Sequence, residues 1–398
     1  MTRRERHTSR RALAALAAIG LASVAASLAH AEDDEIILGY VAAATGELAP
    51  YDSIPGAQCM VDIVNDSGGV LGGKKFKLIT RDIKSDPALA GTAAQELIDE
   101  GSVVLLGPPL DSTLIPAGMM AQPHQIPVLS VGSTQPQFPL AVPDVGYLVP
   151  YGDNMSASAA AQYAWEQGYK TAYLMVSHDI GSYSLITPEF FANAFEHLGG
   201  KTLGRMQYNA GLADYSQQVT EFQHMDPRPD VIFSAFIIPD GGVFVRQLDA
   251  AGVNIPVMGT DGFDDPALIE VGGKGAELVT FTTHGFPEEG STLKWFYDEC
   301  TKRGFTVQNI FFGLAGETVE VIRYAMEAAG TSEPAAVNAA IKEIEAMPGV
   351  TTDAITFKGM NGIPLKRMTM VTVKDGKFVP VQKILPDYVA PPDLQPPS

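Results

Sequence analysis

Cysteine is scarce in this chain of 398 residues: there are two, Cys59 and Cys300. Two thiols exclude a four-cysteine zinc cluster and a disulfide-dense scaffold, and the sequence leaves open whether they pair. Charge is also sparse, 18% of residues against 46% hydrophobic, and it is lopsided, with 46 acidic to 27 basic side chains and a net charge of −19. Nucleic acid and anionic lipid are poor partners for such a surface. The familiar signatures of catalysis are missing as well. There is no His-Glu-x-x-His, no Gly-x-Ser-x-Gly and no Gly-x-x-x-x-Gly-Lys-Ser/Thr, and Gly272-Gly273-Lys274-Gly275 lacks the spacing and acidic partner of a dinucleotide fingerprint. The seven His are scattered, so a catalytic triad could arise only by assembly in space.

What is present begins with an address. Arg3, Arg4, Arg6, Arg10 and Arg11 precede an alanine-rich apolar run, and Ala29-His30-Ala31 follows as a small-x-small cleavage site. Residues 1–31 therefore read as a secretory signal, with a twin arginine at Arg10-Arg11 that also fits export of a folded protein. No later stretch is long and apolar enough to span a bilayer. The exported remainder is more acidic still, because five Arg and one Glu leave with the signal.

From Ile36 the chain alternates short apolar runs with helical spacing. Ile36–Ala42, Phe76–Arg81, Val103–Leu106 and Pro127–Val131 read as strands, with helices over Ser53–Asn65, Ala88–Glu100 and Ser112–Gln122. The alternation restarts after Gly152 and continues to Thr283, which predicts a second α/β lobe. Three helical patterns follow Ser291 without a strand between them. Met368–Val373 and Phe378–Ile384 are then joined by Asp375-Gly376, a strong hairpin signal. Residues 386–398 are proline-rich and read as an extended tail without a core.

The stretch Val103–Phe138 stands out. Its two apolar runs each stop at small polar residues, Asp111-Ser112-Thr113 and Gly132-Ser133-Thr134. Ligands in open parallel sheets sit beyond the carboxyl ends of strands, and both clusters fall at such ends. Tyr51 follows the first strand, Tyr183 follows Thr171–Val176, and Asp261 follows Pro256–Met258. These residues predict a cleft between the lobes. Each has a plainer role: Asp111 or Ser112 as a helix cap, Thr134 and Asp261 as turn residues, the tyrosines as buried hydroxyls.

The pattern resembles the periplasmic solute-binding proteins of ABC importers, in particular the leucine/isoleucine/valine-binding group, from about Ile36 to Ile384. The segments that carry the likeness are Thr45–Tyr51, the Asn65–Lys74 turn with its paired glycines, Asp82–Pro87, Gly107–Thr113, Ser130–Pro136, His178-Asp179 with Tyr183, and Gly259–Gly262. The resemblance implies a type I periplasmic-binding fold, α/β, with two Rossmann-like lobes, each built on a central parallel sheet, joined by a three-strand hinge. The first lobe would hold residues 36–150 and 285–348, the second 151–284 and 349–385, with crossovers near Pro150–Asp153, His284–Pro287 and Met347–Thr352. It implies ligand-binding roles for Tyr51, Asp111, Ser112, Gly132, Ser133, Thr134, Tyr183 and Asp261, a membrane permease as partner, a monomer, no nucleic acid, no cofactor or metal, and no bond made or broken. Two departures stand out. Asp111 occupies the place of a serine that holds the ligand carboxylate, and a second carboxylate there is repulsive. The family's disulfide after the second strand has no cysteines here. An amino acid, an amide, an aromatic acid and a polar cation are all open as ligands, as are a ligand-sensing receptor of the same fold and a secreted hydrolase.

Overall fold

The computed structural model describes residues 35–395; the expected signal at residues 1–31 lies outside them. Two sheets organise the chain. The first is wholly parallel, in the order β2-β1-β3-β4-β5. Its strands are β1 (Glu35–Ala42), β2 (Lys75–Asp82), β3 (Val104–Gly107), β4 (Val128–Ser130) and β5 (Gly146–Leu148). Helices α1 (Ile54–Asp66), α2 (Pro87–Asp99), α3 (Asp111–Ala121) and the short α4 (Gln137–Ala141) connect them. Sequence sets their starts: the Ser53 hydroxyl accepts from Gly56 N at 3.1 Å and the Asp86 carboxylate from Ala88 N at 2.9 Å, each satisfying an N–H that the helix leaves open. Their apolar faces bury Ala57, Met60, Val64, Ala94 and Leu97 against the sheet.

The second sheet repeats the plan and adds a hairpin. It contains β6 (Thr171–Val176), β7 (Lys201–Gln207), β8 (Val231–Ser234), β9 (Val257–Gly259) and β10 (Val279–Thr283). Between them run α5 (Asp153–Glu166) ahead of β6, then α6 (Gly181–His197), α7 (Ser216–His224), α8 (Asp240–Ala250) and α9 (Ala267–Gly272). The chain then returns to the first unit with α10 (Thr292–Lys302), α11 (Ile310–Ala329) and α12 (Pro334–Lys342), followed by a small antiparallel sheet, β11 (Met347–Pro348), β12 (Ala354–Thr356) and β13 (Leu365–Lys366). Finally β14 (Met368–Lys374) and β15 (Lys377–Ile384) pair antiparallel and complete the order β15-β14-β10-β9-β8-β6-β7. Asp375 and Gly376 both have positive φ, 49° and 65°, as the expected two-residue turn requires.

Packing moves one expected boundary and revises one expected segment. Ile355, Phe357 and Ile363 bury in the cores of the first unit, and Leu148 N donates to Gly362 O at 2.8 Å. The chain therefore passes to the second unit at Arg367–Met368, not at Met347–Thr352, because these short apolar segments have no other surface to cover. The proline-rich tail is docked rather than free: Ala390 is fully buried, its N–H is held by Ser158 Oγ at 2.9 Å, and the Tyr388 ring stacks on His197 at 3.8 Å.

The crossovers meet around a buried ion pair. Lys366 and Glu317 are both fully enclosed. Lys366 Nζ donates to Glu317, to Val149 O (3.0 Å) and to Thr351 Oγ1 (3.2 Å). Glu317 also accepts from Val350 N, Thr351 N and Thr351 Oγ1 at 2.8–2.9 Å. Gly285, on the second crossover, packs so close that a Cβ there would lie 2.1 Å from Thr351 O. The cysteines do pair: Cys59 on α1 and Cys300 on α10 form a buried disulfide, Cα–Cα 5.9 Å, across 241 positions of chain that include most of the second unit.

Two outcomes follow. Lys366→Met should cost about 3–5 kcal/mol in denaturant unfolding by stranding a buried carboxylate, and adding Glu317→Gln should recover part of that loss. Reduction of the disulfide should cost about 2–5 kcal/mol, read as a lower melting temperature in reductant that a Cys59→Ala variant reproduces without reductant.

Candidate functional site

In each parallel sheet the strand order reverses once, between β1 and β3 in the first and between β6 and β8 in the second. The crevice at such a reversal is where ligands sit in open α/β sheets. Here the two crevices face one another and enclose a narrow cavity of about 30 Å³. Tyr51, Pro109, Leu110, Gly132, Thr134, Gln135 and Phe311 line it from the first unit, and Ile180, Tyr183, Ile237, Asp261 and Gly262 from the second.

The polar groups are held in place by their own neighbours. The Tyr183 hydroxyl accepts from Gly262 N at 2.8 Å and bonds Thr260 Oγ1 at 2.8 Å. Asp261 Oδ1 lies 3.4 Å from that hydroxyl, and Oδ2 lies 3.2 Å from His284 Nε2. Burial lowers the His284 pKa, so the ring is neutral and donates from Nε2. Two glycines make the close approach possible. A Cβ on Gly132 would lie 2.1 Å from Tyr51 O, and one on Gly262 would lie 2.2 Å from Phe236 O. Leu110, at the turn into α3, has φ 68°, a conformation that branched side chains rarely adopt; such strain gathers at functional sites.

Of the residues expected from sequence, Tyr51, Gly132, Thr134, Tyr183 and Asp261 line the cavity, whereas Asp111, Ser112 and Ser133 do not. Asp111 turns away from it. One carboxylate oxygen accepts from Ser112 N at 2.8 Å and the other from the Ser182 hydroxyl at the start of α6, across the cleft. Ser112 is exposed. Ser133 Oγ donates to Gln135 Oε1 at 2.9 Å. The same oxygen accepts from Asp111 N at 3.0 Å, and Gln135 Nε2 donates to Thr134 Oγ1 at 3.1 Å. Gln135 was missed because an isolated Gln in a turn carries no pattern; Phe311 was read as an ordinary helix residue. Two more bonds cross the cleft: Ile238 N donates to Tyr51 Oη at 2.9 Å, and Asn309 Nδ2, which also donates to Pro50 O of its own unit at 2.8 Å, reaches Asp265 Oδ2 at 3.4 Å.

Two opposed α/β units with a cleft between them, bridged by three chain crossovers, define a hinged ligand-binding protein. The chain belongs to the periplasmic binding protein family, whose description matches residues 35–377. It is similar to a Leu/Ile/Val-binding protein of Rhizobium johnstonii, 25% identical over 92% of this chain and 99% of that protein. It is also similar to a leucine-, isoleucine-, valine-, threonine- and alanine-binding protein of Pseudomonas aeruginosa, 23% identical over 83% of this chain and 87% of that one. Among solved structures, a leucine-binding protein of Thermotoga maritima superposes with a TM-score of 0.78 at 24% identity, covering 88% of this chain and 99% of that one. A solute-binding protein of R. palustris in complex with 4-hydroxybenzoate gives 0.76 at 20% identity, covering 90% and 99%. The protein is thus a periplasmic binding protein, and its fold is the type I periplasmic-binding fold.

Buried carboxyls around the cleft make stability depend on pH. Burial raises Asp52 to about 6 and Asp264 to about 7. The folded state then holds protons that the unfolded chain has released. Stability should therefore be greatest at mildly acidic pH and fall by about 1–3 kcal/mol as pH rises from about 4 to about 8, levelling off above that. Thermal scans across this range test it, and Asp264→Asn should flatten the upper part of the slope.

Proposed function

We propose that the protein captures a small polar metabolite between its lobes by hinge closure and hands it to a membrane permease, acting as a monomer and without chemistry on the solute. The supporting observation is the cavity lined from both units, whose walls are joined across the cleft through Tyr51, Asp111 and Asn309. Closed-state bonds of this kind exist only when the lobes meet, so they tie ligand enclosure to domain motion. In this reading Thr134 and Gln135 present polar groups from the first lobe, Tyr183 and Asp261 answer from the second, and Tyr51 with Phe311 forms an aromatic wall. Gly132 lets the turn approach, Ser133 steadies Gln135, and Asp111 with Ser112 latches and caps the closed form instead of touching solute. The named relatives bind branched-chain amino acids and one structural neighbour holds 4-hydroxybenzoate, so amino acids, amides and aromatic acids form the first screen.

The solute that co-purifies, identified by mass spectrometry and returned to stripped protein, should raise the melting temperature. Asp261→Ala should abolish that shift for a cationic or zwitterionic solute; an unchanged shift would reject Asp261 as the anchor. Ser182→Ala should weaken binding by about threefold to tenfold through loss of one closed-state hydrogen bond, without lowering the stability of the free protein.

A further inference from the structure

Among the described residues, the histidines His124, His178, His197 and His224 are exposed, and His284 is fully enclosed. It does not line the cavity. It directly follows β10, at the start of the second crossover. Burying an imidazole costs free energy unless its nitrogens find partners. Nδ1 has none. Nε2 has one, Asp261 Oδ2 at 3.2 Å. If the ring only filled space, a phenyl group would do so without that cost, so the single polar contact is the feature to explain.

The ring is held between the hinge and the cavity wall. One face stacks on Tyr151 of the first crossover, with ring centres 3.8 Å apart. Phe311, which lines the cavity, meets it edge-on at 6.4 Å. The charged groups around the ring are Asp261, on the turn after β9, and Lys366 and Glu317 of the hinge. The last two are committed to each other. The one proton of the neutral ring therefore goes to Asp261. The other carboxylate oxygen, Oδ1, lies 3.4 Å from the Tyr183 hydroxyl, which Gly262 N fixes in turn at 2.8 Å. The carboxyl group is thus anchored at both corners, and one of the anchors stands outside the cavity.

We propose that His284 is a positioning residue for the solute site: by donating from Nε2 to Asp261 Oδ2 it fixes the plane of the carboxyl group and leaves Oδ1, on the Tyr183 side, as the one oxygen offered to a donor on the solute. This rests on reading the cleft as the solute site. A carboxylate free to turn offers either oxygen and accepts from several directions. One held at both corners accepts from a single direction, and it loses no further rotamer freedom when a solute arrives. His284 therefore bears on affinity without touching the solute, through one hydrogen bond to an ionised group, the kind whose loss is felt most.

The test uses the full exported chain, stripped of solute. The probe is whichever of the amino acids, their amides and the hydroxybenzoates most raises the melting temperature of the unaltered protein. Calorimetric titration with that compound then compares two variants. His284→Gln keeps an N–H donor within reach of Oδ2 and gives up the ring. His284→Phe keeps the ring between Tyr151 and Phe311 and gives up the donor. His284→Phe should weaken binding by about tenfold or more, and His284→Gln should stay within about threefold of the unaltered protein. Should His284→Phe not fold, His284→Leu supplies the variant without a donor. Nitrogen chemical shifts of the ring in the unaltered protein give a second reading: at neutral pH the proton should sit on Nε2, with Nδ1 bare. Full affinity without the donor, a loss with Gln as large as with Phe, or a proton on Nδ1 each overturns the positioning role while leaving the cleft a solute site. If no compound of the panel binds, or if binding survives Tyr183→Ala unchanged, the cleft reading itself fails and this inference goes with it.

Discussion

Lys366 and Glu317 hold the hinge together. Two charges buried this completely cost several kcal/mol each to take from water, and attraction repays that only where every donor and acceptor is used. Here they are. The ammonium's three protons go to Glu317, Val149 O and Thr351 Oγ1, and the carboxylate takes two backbone N–H groups and a hydroxyl besides. The partners come from the first crossover, from α11 and from the segment before β12, so one polar cluster ties together strands that sequence separates by up to 217 positions.

The layer above has the opposite character. His284 stands on the second crossover, yet its Nδ1 keeps no partner. Asp111 lies at the cleft mouth. Its carboxylate sits where it would repel an anionic ligand, and the structure turns it outward to Ser182. The difficulty it poses in sequence is resolved by a different job: a bond made only when the lobes meet.

The alternating strands and helices were legible because each apolar run ends at a turn or cap with a local cause. Ser53, Asp86, Ser291 and Asn309 accept from the first turns of their helices, and Asp375-Gly376 sets the last hairpin. The lining of the cavity was legible where residues follow strand ends, as Tyr51, Thr134, Tyr183 and Asp261 do. It was not legible where the role depends on contacts distant in sequence. Gln135 acts through Asp111, 24 positions away, and His284 meets Asp261, 23 positions away. The third crossover was misplaced for a similar reason. Ile355, Phe357 and Ile363 are too short a signal to name the core they enter, and the tail's prolines hid the docking of Ala390.

The chain's overall acidity now has a second bearing besides solubility. A strongly negative surface concentrates cations and thins out anions near the cleft. That bias is weak at distance: screening at about 0.1 M salt confines it to roughly 10 Å, and any solute of the same charge feels it equally. A carboxylate inside the cleft, such as Asp261, acts at contact range, where effective dielectric constants near 20 make a charge at about 4 Å worth about 4 kcal/mol. Discrimination among solutes therefore rests on the groups lining and backing the cavity. The surface affects how often a charged solute arrives, and the groups that line the cavity affect which arrival stays.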